Sequence, residues 1–164
     1  MFFSAPVQRP DFPCLYDVRV QEATSVLGKG VLPVKFLKTY LDRCVQCGAC
    51  MSACSKAWAK EDSPDLSRIR VKAVTGMADI RVCDQCGGCI AVCPTMALAR
   101  DKNGIVQIDR KKCTSCLMCV EFCPSASMFF SDRIPSPYKC VACGICARAC
   151  PEGALEILDT GKEG

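Results

Sequence analysis

The stretch CVACGICARACP, residues 140–151, sets four cysteines at the spacing C-x2-C-x2-C-x3-C and ends on a proline. The same spacing occurs four times, and the four motifs contain 16 of the 17 cysteines in the chain. In chain order these are Cys44, Cys47, Cys50 and Cys54; Cys83, Cys86, Cys89 and Cys93; Cys113, Cys116, Cys119 and Cys123; and Cys140, Cys143, Cys146 and Cys150. Pro94, Pro124 and Pro151 follow the last three motifs, whereas Ser55 follows the first. One repeated ligand pattern therefore organises the chain.

This spacing is typical of cysteines that hold [4Fe–4S] clusters, where three close thiolates bind one cube and the fourth reaches a second cube. The short loop turns its side chains toward one cube, and its backbone N–H groups point at the sulfur atoms. Small residues such as Gly87 and Gly88 let the backbone come close, although the third motif has Leu117 and Met118 instead. Sixteen ligands predict four [4Fe–4S] clusters, and a chain with four redox centres is most simply an electron conductor.

Two other uses of cysteine fit less well. Zinc prefers two C-x2-C pairs separated by a longer stretch, whereas all four motifs here carry the x3 step. Disulfides would indicate a secreted chain, and the sequence shows no signal peptide. The chain also has no histidine, which argues against histidine-based proton transfer or metal ligation.

Charge and hydropathy limit the partners. The 164-residue chain carries a formal charge of +4. Four oxidised clusters with their thiolates would contribute about −8, so the basic balance is no argument for nucleic-acid binding. No apolar stretch reaches the 18 or more residues of a membrane span, and no twin-arginine leader is seen. We expect a cytoplasmic protein without direct membrane insertion.

The chain divides into three parts. Residues 1–40 contain no repeat and are rich in Pro and Gly, so we expect an extended N-terminal arm that packs on the core or on a partner. Cys14 lies alone in this arm, where a lone cysteine is most often a small buried hydrophobe. Residues 41–158 form the ferredoxin-like domain with its four predicted clusters, and residues 159–164 a C-terminal tail. The expected fold class is α+β, loop-rich, with two pseudo-symmetric ferredoxin-like units that hold two clusters each.

Short elements are expected between the motifs. Asn103-Gly104 favours a tight hairpin turn between two strands, the second from the β-rich run 105–108. A short helix is expected around each fourth cysteine, as in residues 90–93. The motifs start 39, 30 and 27 residues apart. The second and third are therefore close enough to form an inner unit, about 80–125, inside an outer unit from 41–80 and 126–158. The rival arrangement is two tandem ferredoxins, first with second and third with fourth.

Four such motifs, with PDLSRIRV at residues 64–71 between the first two, resemble the four-cluster iron–sulfur subunits of bacterial and archaeal redox complexes. The resemblance covers about residues 40–158. It implies a nested pairing, with four ligands for each cluster. These sets are Cys44, Cys47, Cys50 and Cys150 (cluster 1); Cys140, Cys143, Cys146 and Cys54 (cluster 2); Cys83, Cys86, Cys89 and Cys123 (cluster 3); and Cys113, Cys116, Cys119 and Cys93 (cluster 4).

The same resemblance implies a non-catalytic electron-transfer subunit of a hetero-oligomeric oxidoreductase. It indicates a catalytic partner with a tungsten or molybdenum bis-pterin cofactor, as in tungsten aldehyde oxidoreductase, or a partner of the related benzoyl-CoA reductase type. A flavoprotein or a ferredoxin would be the external partner. The alternatives are a free polyferredoxin that shuttles electrons between enzymes, and an iron–sulfur subunit of a hydrogenase or formate dehydrogenase complex.

Overall fold

The strands of the protein are short and pair two at a time. The computed structural model describes residues 33–74 and 76–161, and within them the strands form four two-stranded antiparallel sheets. The pairs are β1 (Lys35–Thr39) with β8 (Leu155–Asp159), β2 (Arg70–Val74) with β3 (Met77–Arg81), β4 (Leu98–Arg100) with β5 (Val106–Ile108), and β6 (Phe129–Ser131) with β7 (Ile134–Tyr138). No broad sheet is present in this part of the chain to form a core, so the loops have to supply it.

Each cysteine motif contributes one helix. These are α1 (Ala49–Ala59), α2 (Gly88–Ala91), α3 (Met118–Glu121) and α4 (Ile145–Ala149). Single 3-10 turns cover Leu41–Arg43 and Pro64–Leu66. Helix α1 packs against α4, and α2 packs against α3. Helices from the outer two motifs thus meet each other, as do those from the inner two.

The helices lie one ligand earlier than predicted. Each contains the third cysteine of its motif, and α2, α3 and α4 end before the fourth. Proline directly after the fourth cysteine explains this, because the residue before a proline is disfavoured in the helical region. Only α1, with Ser55 at that position, continues through its fourth cysteine.

Buried residues form two groups. The first joins the outer motifs and includes Leu37, Ile69 and Leu155 with five cysteines, and the second joins the inner motifs around Leu98, Val106 and Met128. The loop-rich α+β fold is confirmed. The pseudo-symmetric relation of two ferredoxin-like units stays a prediction.

Residues 33–40 are tied to the end of the described chain. β1 pairs with β8 in the register Leu37 to Ile157, and Leu37 is buried. The rest of the predicted arm, including Cys14, lies outside the described residues, as does the tail beyond residue 161. The predicted division into arm, domain and tail stays a prediction.

The predicted hairpin of residues 98–108 is present, but its turn is wider than a two-residue loop. The carboxylate of Asp101 accepts the backbone N–H groups of Asn103 and Ile105 at 2.8 and 3.0 Å. Gly104 has φ of +72°, and a β-carbon there would lie 2.8 Å from Val34 Cα. The turn therefore needs glycine both for its conformation and for the close approach of the segment entering β1.

Candidate iron–sulfur cluster sites

All four motifs share one backbone conformation. The second residue after the first cysteine has positive φ in each copy: Gln46, Gln85, Ser115 and Ala142. The fourth residue does so too: Gly48, Gly87, Leu117 and Gly144. Such left-handed residues curl the loop and turn successive N–H groups to one side, which makes an anion-binding concavity. The third motif adopts this shape with Leu117, where a side chain costs about 1–2 kcal/mol relative to a right-handed conformation.

The fourth cysteine of each motif receives a backbone N–H. Ala97, Ser127 and Ala154 each donate to the sulfur four residues earlier, at 3.3 to 3.4 Å. Cys54 instead accepts the N–H of Arg68, 14 residues later, at 3.3 Å. In the three proline-terminated motifs the chain turns back, so that an N–H group of the same segment donates to the fourth cysteine. The first motif has a longer helix, and its donor comes from the segment before β2.

The structure gathers the predicted ligands from distant parts of the chain. One cavity is lined by Cys44, Cys47, Cys50 and Cys150, which we call site 1. A second is lined by Cys54, Cys140, Cys143 and Cys146, site 2. A third is lined by Cys93, Cys113, Cys116 and Cys119, site 4. They enclose about 360, 300 and 350 Å³ respectively, part of it open to solvent. Each set combines three cysteines of one motif with the fourth of another.

The remaining four thiols, site 3, are Cys83, Cys86, Cys89 and Cys123. Besides burial, the charge of Cys123 is among the causes that raise the pKa of both Cys83 and Cys89. A β-carbon on Gly88 would lie 3.9 Å from both Cys86 Sγ and Pro124 Cδ, so Cys86 lies beside the Cys123–Pro124 turn. These contacts bring the loop of the second motif to the end of the third.

The chemistry of the thiol sets fits a [4Fe–4S] cluster. All sixteen motif cysteines have free thiols. Apolar residues such as Val71, Ile80 and Leu155 complete the wall of site 1. Across residues 33–74 and 76–161, no three His, Cys, Asp or Glu side chains are placed to share a single metal ion. The assignment of each set to one cluster stays a prediction.

Burial holds several of these thiols in the protonated form. It raises the pKa of Cys50, Cys89 and Cys119 to about 11, and that of Cys140 and Cys146 to about 12. For Cys93, hydrogen bonds from Thr95 and Ala97 outweigh burial, and its pKa is lowered. Because iron binds the thiolate, cluster binding has to release the protons of these thiols.

The four sites follow one another in space. Cys50 of site 1, Cys146 of site 2 and Cys83 of site 3 belong to one buried group, while Cys89 of site 3 and Cys119 of site 4 belong to the other. Besides burial, the charge of a cysteine in the neighbouring site is among the causes that raise a thiol pKa. The charge of Cys50 raises the pKa of Cys146, that of Cys83 raises the pKa of Cys140, and that of Cys89 raises the pKa of Cys119. The order is therefore site 1, site 2, site 3, site 4.

One polar contact between sites 2 and 3 was not predicted. Lys139 is 2% exposed, and its ammonium donates to Gln85 Oε1 at 2.8 Å and to the carbonyl of Cys140 at 3.1 Å. Gln85 in turn accepts the N–H of Val106 and donates to the carbonyl of Cys140. The sequence shows only that Lys139 directly precedes a predicted ligand and that Gln85 lies inside a motif. No local pattern indicates that these two side chains contact each other.

Comparison with known families agrees with the cysteine pattern. Two models described as a 4Fe-4S dicluster domain match residues 43–98 and 76–124, and a 4Fe-4S binding domain matches residues 134–156. Residues 43–124 and 134–156 therefore contain ferredoxin-type [4Fe–4S] domains. These matches together include every motif of this ferredoxin-type protein.

Relatives of this ferredoxin-type protein are subunits of redox enzymes. It is 40% identical over 95 residues to the thiosulfate reductase electron transfer subunit PhsB of Salmonella typhi, covering 50% of this chain and 48% of that one. It is 37% identical over 93 residues to the NADH-dependent phenylglyoxylate dehydrogenase subunit beta of Aromatoleum evansii, covering 52% and 21%. Formate hydrogenlyase subunit 2 of Escherichia coli K12 is 31% identical over 94 residues, covering 56% and 46%. The matched region spans less than half the length of each of these relatives.

A solved structure is also similar. This is the active site complex BamBC of benzoyl coenzyme A reductase, with 25% identity and a TM-score of 0.46 over 77% of this chain and 80% of that one. A likeness at that TM-score does not by itself establish a shared fold. Among the described residues of this ferredoxin-type protein, no helix has the length and apolar character needed to cross a membrane.

Proposed function

We propose that the protein is an electron-transfer subunit that holds four [4Fe–4S] clusters and connects a catalytic subunit to an external electron carrier. The observation that carries this proposal is the close placement of the four thiol sets, since sites 1, 2 and 3 share one buried group and sites 3 and 4 share the other. A [4Fe–4S] cluster supplies one-electron redox chemistry when bound. The chain's own contribution is to hold the sulfur ligands, exclude water and donate N–H groups to sulfur.

The two ends of this series are suited to partner contacts. Cys47 at site 1 and Cys116 at site 4 are exposed. Leu41 and Val45 near site 1 are 52% and 61% exposed, and Met96 and Phe122 near sites 3 and 4 are 80% and 58% exposed. Apolar side chains beside an exposed ligand favour a protein interface at each end, since such an interface would cover both.

For the catalytic partner we propose an enzyme with a tungsten or molybdenum bis-pterin cofactor, of the aldehyde oxidoreductase or benzoyl-CoA reductase type, in the cytoplasm. The similarity to formate hydrogenlyase subunit 2 favours a second candidate, a hydrogenase or formate dehydrogenase complex. Purifying the native assembly, measuring its metals and testing whether it oxidises formate separates the candidates. Nickel supports a hydrogenase. Tungsten or molybdenum without nickel supports a formate dehydrogenase if the assembly oxidises formate, and the first partner if it does not.

The ligand sets can be tested in the full chain. We expect about 16 iron atoms per chain, and a content near eight, or bound zinc, would contradict four clusters. Cys150→Ser should disturb the spectrum of site 1 and Cys54→Ser that of site 2, while the signals of sites 3 and 4 persist. Cys123→Ser and Cys93→Ser are the matched variants for the inner pair. Loss of a site 3 or site 4 signal in Cys54→Ser would contradict the nested sets and favour tandem ferredoxins.

A further inference from the structure

A groove on the described surface reaches site 2 from the side. Two adjoining cavities, of about 780 and 750 Å³ including space open to solvent, share the lining residues Trp58, Arg68, Arg110 and Tyr138. We call the surface that these four residues line the groove. One of its cavities extends to Cys143, an exposed ligand of site 2. It is wider than the cavities that the thiols themselves line, so it is not one of the cluster sites.

The groove carries two arginines that no carboxylate of the described residues pairs with. Arg68 and Arg110 form no ion pair with a carboxylate in residues 33–74 and 76–161. The guanidinium carbon of Arg68 lies 3.8 Å from the centre of the Trp58 ring. Burial lowers the pKa of Arg68, the charge of Arg110 lowers it further, and the site 2 thiols oppose both effects. Among the described residues that line the two cavities, Glu61 is the one carboxylate, and it is paired with Arg133.

The same residues are connected to site 2. The backbone N–H of Arg68 donates to Cys54 Sγ at 3.3 Å. Trp58 follows Cys54 by one turn in α1 and is 43% exposed. A molecule seated between Arg68 and Arg110 would therefore lie against two ligands of one site, Cys54 through Arg68 and Cys143 directly.

We propose that the groove is the docking site for an acidic electron-carrier protein, whose carboxylates pair with Arg68 and Arg110 and whose redox centre faces Cys143. This rests on the proposed function. A planar, permanently charged guanidinium suits carboxylate recognition, and an exposed tryptophan suits a partner surface. In the transfer, the reduced carrier loses one electron and site 2 gains one, with no bond made or broken. Because site 2 lies between sites 1 and 3, this carrier would exchange electrons in the interior of the series rather than at an end.

The test compares charge reversals on neighbouring exposed residues. Arg110→Glu changes the groove, and Lys111→Glu makes the same change on a side chain that does not line it. The full chain with its clusters is mixed in a stopped-flow instrument with a reduced acidic [2Fe–2S] ferredoxin at low ionic strength. We expect the second-order rate constant to fall about tenfold in Arg110→Glu, less in Arg110→Gln, and less than about twofold in Lys111→Glu. The difference should shrink in high salt, because the attraction is screened.

Other outcomes would overturn the proposal. Equal losses in Arg110→Glu and Lys111→Glu would indicate a general charge effect, and equal rates for all variants would show that the groove is not used. Dithionite, a small anionic reductant, is the parallel reaction. If Arg110→Glu slows dithionite as much as ferredoxin, the groove binds small anions instead of a protein. A wild-type chain whose iron–sulfur absorbance is bleached neither by dithionite nor by a stronger reductant would contradict the proposed function itself, whereas normal bleaching with unchanged ferredoxin rates contradicts only the groove.

Discussion

Lys139 places an ammonium group in the interior without a carboxylate partner among the described residues. A buried charge is costly unless it is paired. Its hydrogen bonds to Gln85 and to the carbonyl of Cys140 satisfy the protons but supply no negative charge. Lys139 does oppose the effect of burial on the thiols of Cys83 and Cys89, whose pKa values remain raised. The charge of Lys139 is among the causes that lower the pKa of Asp101, and an anionic cluster at site 3 would add a further counter-charge.

The first prediction is that Lys139→Met lowers the reduction potential of the cluster at site 3. Reduction adds negative charge, which the ammonium stabilises. For an assumed separation of about 10 Å and an effective dielectric constant of about 20, Coulomb's law gives ~1.7 kcal/mol, or roughly 70 mV for one electron. A redox titration followed by electron paramagnetic resonance would measure the shift. Lys112→Met, at an exposed lysine, is the control, and an unchanged site 3 potential in Lys139→Met would rule out this role.

At the residue scale, the sequence predicted the cysteine ligands but not the side-chain contacts around them. The sixteen cysteines stand out because three of every four ligands come from one local loop with fixed spacing. The contact between Gln85 and Lys139, and the stacking of Arg68 on Trp58, join residues from separate segments. No local pattern encodes such meetings, because they depend on how the segments pack.

Among the elements, α1 differs from the other three helices because Ser55 follows its fourth cysteine in place of a proline. Ser55 is fully buried, its hydroxyl donates to the carbonyl of Ser52, and it accepts the N–H of Ser63. The helix can therefore continue to Ala59 and carry Trp58 to the groove. The other three helices stop before a Cys-Pro pair. They were predicted one ligand too late because the effect of the proline on the cysteine before it was not taken into account.

The second prediction is that Ser55→Pro damages the first motif, although proline is native at the equivalent position of the other three. A proline inside α1 removes a helical hydrogen bond and costs about 3 kcal/mol or more. We expect loss of about four of about 16 iron atoms, from site 2, because the position of Cys54 depends on this helix. Pro124→Ser, the reverse exchange in the third motif, should retain its iron. Full iron in Ser55→Pro, measured by metal analysis, would contradict the structural difference between the motifs.

The third prediction concerns the turn between β4 and β5. Gly104→Ala should cost more than the ~1 kcal/mol expected for a left-handed alanine, because its β-carbon would meet the backbone of Pro33 and Val34. Gly76→Ala is the matched control, since Gly76 has φ of +86° and open space around it. Urea unfolding followed by circular dichroism compares the two variants. Equal midpoints would show that residues 33–34 do not pack against this turn.

For the whole molecule, cysteines supply much of the interior, above all where the outer motifs meet. Five of the eight buried residues in the group that joins the outer motifs are cysteines. The strands pair only two at a time, and an isolated two-stranded hairpin is marginal in water. The loop-rich α+β class could be predicted from the motif repeat and the turn residues. The partnership of β1 with β8 could not, because nothing local to residues 35–39 points to residues 155–159.

The fourth prediction is that the iron-free chain does not fold. Clusters replace an ordinary apolar core here, and metal binding is coupled to folding in small metalloproteins. Removal of iron by a chelator under reducing conditions should abolish the native circular dichroism and expose the chain to proteolysis, and reconstitution should restore both. Native-like spectra and protease resistance without iron would contradict this.

Because distant motifs pair, the ligands of the four sites become complete at different times during synthesis. Site 1 takes Cys44, Cys47 and Cys50 from the first motif but Cys150 from the fourth. At about 5–20 residues per second, the ribosome releases the inner ligands while the last ligand of the outer sites is still to come. Sites 3 and 4, complete at Cys123, can be filled while the nascent chain is still growing. Site 1 has three thiols without their fourth until Cys150 is made, and during that interval it is open to the wrong metal or to oxidation.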